Sequence, residues 1–204
     1  MKVLLVNGSP NKLGCTYTAL SEVAGALNRE DIETEIMWLG VKPLAGCIGC
    51  GKCHETGRCF RDDIVNEFAQ KSFDADGFVF GTPVHFASAT GAITSFMDRA
   101  FIVPTGLRHK PAAAICSCRR GGAASTFDQL NKYFTIRCMP IVSSNYWNMV
   151  HGSTPDDVKQ DIEGLQTMRV LGKNMAWLLK CIEAGKQAGI VPKDEEKVYT
   201  NFIR

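Results

Sequence analysis

A doubly wound α/β sheet, with parallel strands and helices on both faces, is the fold class this sequence predicts, and three observations predict it. Short, continuously apolar, β-rich runs recur at Val3–Val6, Gly77–Gly81 and Pro111–Cys116. Segments with apolar residues at helical spacing lie between them. Each run ends in a stretch of small, polar, turn-forming residues, the form of a strand feeding a crossover helix.

The chain opens on a strand over Val3–Val6, and Leu20, Val23, Ala24 and Leu27 mark the face of a helix from Thr18 onward. Glu33–Trp38 alternates as a second strand. Residues 39–61 follow neither period, are rich in glycine and cysteine, and read as an excursion from the sheet. Asp62 and Asp63 start a helix over Ile64–Lys71, where acidic residues suit the positive end of the dipole. Gly77–Gly81 is the third strand, and Ile93, Phe96, Met97 and Ala100 are the stripe of the helix after it. Pro111–Cys116 is the fourth, followed by a helix marked by Phe127, Leu130 and Phe134. Met139–Val142 is the fifth.

Thr154 as N-cap, Pro155 at the first helical position, and Asp156 and Asp157 then start the last helical segment. Its buried face is read as Ile162, Leu165, Met175, Leu178, Leu179 and Ile182, with a bend at Gly164 or Gly172. A tail occupies 190–204. Crossover handedness and the length favour the strand order 2-1-3-4-5, in one domain spanning 1–204.

Hydrophobic residues at 45% and charged ones at 22% are those of a globular chain with a sizeable core. A net charge of +2 is too slight to call for nucleic acid or an anionic membrane. No run of about 18 apolar residues exists to span a bilayer. The immediate entry into a strand leaves no room for a signal peptide, so the nine cysteines point to a reducing cytoplasm, where clustered thiols bind metal or do redox chemistry.

Ligands of such sheets bind outside the carboxyl ends of the strands. Three loops fall there: Asn7–Thr18 (NGSPNKLGCTYT), Thr82–Gly91 (TPVHFASATG) and Ser117–Gly122 (SCRRGG). The first is neither a Walker A loop nor a GxGxxG turn. Its hydroxyls and free N–H groups at a helix start suit one phosphate monoester, or else serve as ordinary helix caps. Cys47, Cys50, Cys53 and Cys59 form CxxCxxCx5C, a tight spacing comparable to that of ferredoxins. The spacing leaves three occupants open: an iron-sulfur cluster, a zinc ion, or none.

These segments, with the stretch ending NYWNMVHG, resemble in order and spacing the flavodoxin-like NADPH-dependent FMN reductases, and within them the iron-sulfur flavoprotein branch. The resemblance implies a flavodoxin-like five-stranded sheet holding FMN. Ser9, Asn11, Thr16, Tyr17 and Thr18 would hold the phosphate end. Pro83, Val84, His85 and Phe86 would line the ribityl chain and one side of the ring, His85 as a wall rather than a base. Cys118, Arg119, Gly121 and Gly122 would approach the pyrimidine edge. The resemblance also implies that the four cysteines ligate a [4Fe-4S] cluster beside the flavin. The Asp98–Arg99 pair is read as a buttress of its helix or of a subunit contact.

The implied activity is hydride transfer from NAD(P)H to flavin N5, with electrons passed on to a quinone, a flavin, another small acceptor or a redox protein. The implied assembly is a homodimer or homotetramer, with Tyr146, Trp147, Met149 and the tail as contacts. Two other functions stand beside it: an electron carrier without its own reductase activity, and a thiol- or metal-based redox sensor.

Overall fold

The structure is a computed structural model and describes residues 1–200; 201–204, the end of the predicted tail, lie outside the described residues. Parallel strands β1 (Lys2–Asn7), β2 (Glu33–Trp38), β3 (Gly77–His85), β5 (Ala112–Cys118) and β6 (Met149–His151) form one sheet in the order β2-β1-β3-β5-β6. A two-residue strand, β4 (Ser88–Ala89), folds back antiparallel on Val84 and His85 at the end of β3. Successive side chains of a strand point to opposite faces, so each central strand feeds two cores. Leu4, Val6, Phe78 and Phe80 face one side, and Val3, Leu5 and Val79 the other.

On the first face pack α3 (Ile64–Asp74), α4 (Gly91–Ala100) and α5 (Ala123–Ile136). Aromatic rings dominate this core: Phe68 lies 5.1 Å from Phe96 and 5.9 Å from Phe80, and Phe80 lies 5.4 Å from Phe134. On the second face pack α1 (Cys15–Asn28), α6 (Pro155–Gln160) and α7 (Ile162–Gln187). A Cβ on Gly172 would come 2.6 Å from that of Ala26, so this glycine sets the close approach of α7 to α1 rather than a bend.

The predicted fifth strand at Met139–Val142 is displaced. Ile141 makes only an isolated bridge to Ala112, and the paired strand is Met149–His151, opposite Cys116–Cys118. Pro140 has no N–H to give a ladder, and Ile141 is 40% exposed, so the chain leaves the edge and rejoins it after a loop. The last helical segment breaks at Asp161, whose carboxylate accepts from Gly164 N at 2.9 Å and His151 N at 2.6 Å. Ile162, read as buried, is exposed. Thr154 caps α6 as the sequence suggests, and Asp157 answers it in a capping box. No described helix is long and apolar enough to cross a membrane.

Candidate cofactor clefts

At the carboxyl ends of β1, β3, β5 and β6 the loops enclose a cleft of ≈ 180 Å³. Its first wall is the turn from β1 to α1. Asn7, fully buried, accepts from Ser9 N at 3.0 Å and donates to Lys12 O at 3.1 Å. The Trp38 indole N–H donates to Ser9 O at 2.8 Å, and the Ser9 hydroxyl accepts from Asn11 N at 3.2 Å. The loop is thus fixed by its own polar groups before any ligand arrives. Gly14, the N-cap of α1, offers no capping side chain. Among the described residues nothing accepts from the first-turn N–H groups of α1, which leaves the positive end of the dipole open for an anion.

Thr16 and Ser117, both buried, share a hydrogen bond of 2.9 Å beneath this loop, so β5 and α1 meet through a hydroxyl pair. Pro83, Val84 and His85 bring the end of β3 to the cleft, and Cys118 and Arg119 the end of β5. Burial pushes the Cys15 and Cys118 thiols up, which keeps both neutral at ordinary pH.

Of the predicted residues, the cleft brings together Ser9, Asn11, Thr16, Pro83, Val84, His85, Cys118 and Arg119. Tyr17 and Thr18 lie farther along α1 and do not line it, and Thr18 Oγ1 donates back to Gly14 O at 3.2 Å. Phe86 stands fully exposed at the β3–β4 turn with φ 51°. Gly121 and Gly122 instead line a neighbouring hollow of ≈ 430 Å³ with Arg120, Trp147 and Met149. Gly152 and Ser153 complete the cleft and were missed by sequence reading. Gly152 closes the stretch ending NYWNMVHG and Ser153 follows it, but a fifth strand placed at 139–142 put the strand's end elsewhere.

A second cavity, ≈ 210 Å³, is ringed by Cys47, Cys50, Cys53 and Cys59, with apolar walls from Phe60, Ile102 and Val103. Gly51, at φ 73°, turns the chain into the short helix α2 (Lys52–Thr56), which carries Cys53 inward. Cys59 is held from both sides of its peptide: Asn66 accepts from Cys59 N at 2.9 Å and donates to Cys59 O at 3.0 Å. Among the described residues no three His, Cys, Asp or Glu side chains converge on the position of a single ion. The thiols surround a space instead. Burial, reinforced by the other three sulfurs, pushes the Cys53 thiol up.

The Asp98–Arg99 reading is corrected here. Arg99, 2% exposed, pairs with Asp63, the N-cap of α3, and reaches Cys59, whereas Asp98 accepts from the Tyr133 hydroxyl at 2.5 Å. The two neighbours occupy different faces of α4, because successive helical residues do not share one.

Comparison with known proteins supplies the remaining observation. The family model described as NADPH-dependent FMN reductase matches residues 1–154. An iron-sulfur flavoprotein of Methanocaldococcus jannaschii is 38% identical over 192 residues, covering 90% of this chain and 100% of the relative. The solved structure of RosB with a bound formylriboflavin phosphate intermediate superposes with a TM-score of 0.71 at 16% identity, covering 100% of this chain and 94% of that one. A flavodoxin from the domain Archaea superposes with a TM-score of 0.61 at 13% identity, covering 88% and 99%.

Proposed function

The chain belongs to the NADPH-dependent FMN reductase family, with a flavodoxin-like fold and iron-sulfur flavoproteins among its relatives, and so is an FMN oxidoreductase; from that premise we propose that it takes hydride from NAD(P)H and passes electrons to a small acceptor or redox protein. The observation that carries the reading is the uncapped start of α1, opening onto a cleft formed where four strands end. Bound there, FMN supplies the accepting atom, flavin N5, and the store for the electrons that leave.

The chain's own part is binding and orientation. The first-turn N–H groups of α1, with Ser9 and Asn11, take the phosphate. Pro83 to His85 lie along one side of the ligand, and Cys118 and Arg119 approach it from β5. Tyr17, Thr18, Phe86, Gly121 and Gly122 act through the shape and closure of these loops. Neutral Cys15 and Cys118 offer no thiolate to compete for the flavin.

In this reading the cavity of Cys47, Cys50, Cys53 and Cys59 holds a [4Fe-4S] cluster, which adds a one-electron outlet. Zinc, with Zn–S distances of about 2.3 Å, needs four sulfurs gathered on one point; a ring of thiols around a larger space suits a polynuclear group better. The exposed pair Tyr146 and Trp147, 5.2 Å apart beside the cleft, supports a second copy packing there in a homodimer or homotetramer.

Rapid mixing of the FMN-loaded protein with NADPH and with NADH, without oxygen, tests the donor. Bleaching of the flavin band with at least one donor is expected. Bleaching with neither would leave an electron carrier.

A further inference from the structure

Arg99 is a buried cation whose partners are Asp63, at the start of α3, and three residues of the cysteine segment. Its Nη1 and Nη2 donate to Asp63 at 2.6 and 2.9 Å. Nη1 also reaches Ala45 O at 3.5 Å, and Nη2 reaches Arg61 O at 3.3 Å. The remaining donations go to sulfur, with Nε 3.4 Å and Nη2 3.1 Å from Cys59 Sγ. Burying a guanidinium is costly unless its donors are satisfied, and Asp63 alone would serve to neutralise it. An ion pair between α3 and α4 does not require a sulfur as third partner.

Resting on the reading that the four cysteines hold an iron-sulfur cluster, we infer that Arg99 is a positioning residue for that cluster. It lines the same cavity as the four cysteines, fixes Cys59 from that wall and raises the reduction potential through two N–H···S hydrogen bonds. The chemistry follows from charge. The cluster gains one negative charge on accepting one electron, so donors aimed at a ligating sulfur strengthen in the reduced form, and hydrogen bonds to sulfur are an established lever on such potentials. Only the planar fork of arginine can serve a bidentate carboxylate, two carbonyls and a sulfur together; a lysine would offer one point charge.

The test compares the full chain with Arg99→Lys and with the double variant Arg99→Met/Asp63→Asn, each reconstituted with iron and sulfide without oxygen. The double variant removes both charges together, so no buried charge is stranded, and Asn remains a good N-cap for α3. Iron, sulfide and FMN content, the reduced-cluster paramagnetic signal and a potentiometric titration are read for each.

The double variant is expected to load cluster with an altered signal. Its reduced-to-oxidised ratio at fixed potential should be about tenfold lower, about 59 mV for a one-electron couple, with Arg99→Lys between it and the parent. Loss of cluster with FMN binding and helicity retained would equally support a hold on Cys59. If the double variant fails to fold, Arg99→Lys decides by the presence or absence of its own shift. Loaded variants with the parent's potential and signal would overturn the role of Arg99 alone. A parent chain that takes up no iron or sulfide would overturn the cluster reading and this inference with it.

Discussion

Buried Asn66 shows how much of the cysteine segment rests on single side chains. It answers both the N–H and the carbonyl of Cys59 and donates to Arg61 O at 3.1 Å. Asn66→Ala would leave these groups unpaired and should cost about 1–3 kcal/mol, seen as a lower denaturation midpoint. An unchanged midpoint would mean that water replaces the amide. The cysteines differ as sharply. Burial pushes Cys116 up to about 12, whereas Cys47 and Cys50 are exposed. In cluster-free protein, iodoacetamide at mildly alkaline pH should label Cys47 and Cys50 quickly and Cys116 only on unfolding, as mass spectrometry would show. Ser9, Thr16 and the four cysteines could be read from the sequence because their chemistry is local to a motif. Asn66 and Arg99 could not, because partners 7 and 40 residues away make them matter.

The element that joins the two cavities is α4. Its N-cap Thr90 donates to Gly8 O at 3.2 Å, and Thr90 N donates to Thr82 Oγ1 at 3.2 Å, so the helix begins against the ends of β1 and β3. Arg99 in its last turn meets the cysteine segment. One ten-residue helix therefore spaces the two cavities as a rigid strut. The β3–β4 turn is held less forgivingly. Gly122 sits at φ 86°, and a Cβ there would fall 2.5 Å from Ala87 Cα. Gly122→Ala should destabilise by about 1–3 kcal/mol and weaken FMN binding by displacing Val84, read by thermal melting and fluorescence titration. The longer helices and four of the strands were legible because their apolar periods are strong, whereas the five-residue α2, inside the cysteine segment, has no such period. The fifth strand was not: Met139–Val142 has strand composition, but Pro140 cannot sustain pairing, a loss visible only against Ala112.

Across the whole molecule, the sheet edge is tied to α3 by charge. Glu35 on β2 receives Lys2 at 2.8 Å and Lys71 at 2.5 Å. These hydrogen bonds hold its carboxyl below, and both ammonium groups above, their ordinary ranges. The carboxylate's contribution is present above its unfolded value of about 4.3 and is lost as pH falls through the lower folded one. The lysines' contribution is present below about 10.4 and is lost as pH rises through the higher folded values. Glu35→Gln should therefore cost most between about pH 5 and 10, by about 1 kcal/mol or less at these partly exposed positions, with the difference closing at both extremes. An equal cost at pH 3 and pH 7 in denaturant titrations would contradict the pairing.

The same sheet gathers its loops at one end, the end proposed to hold FMN, with the cluster in the cysteine cavity. The most direct measurement is the visible spectrum of protein purified and kept without oxygen, with flavin, iron and sulfide analysed in the same sample. Flavin bands, about one FMN, and about four iron and four sulfide per chain are predicted. Absence of flavin bands with no uptake of added FMN would contradict the account.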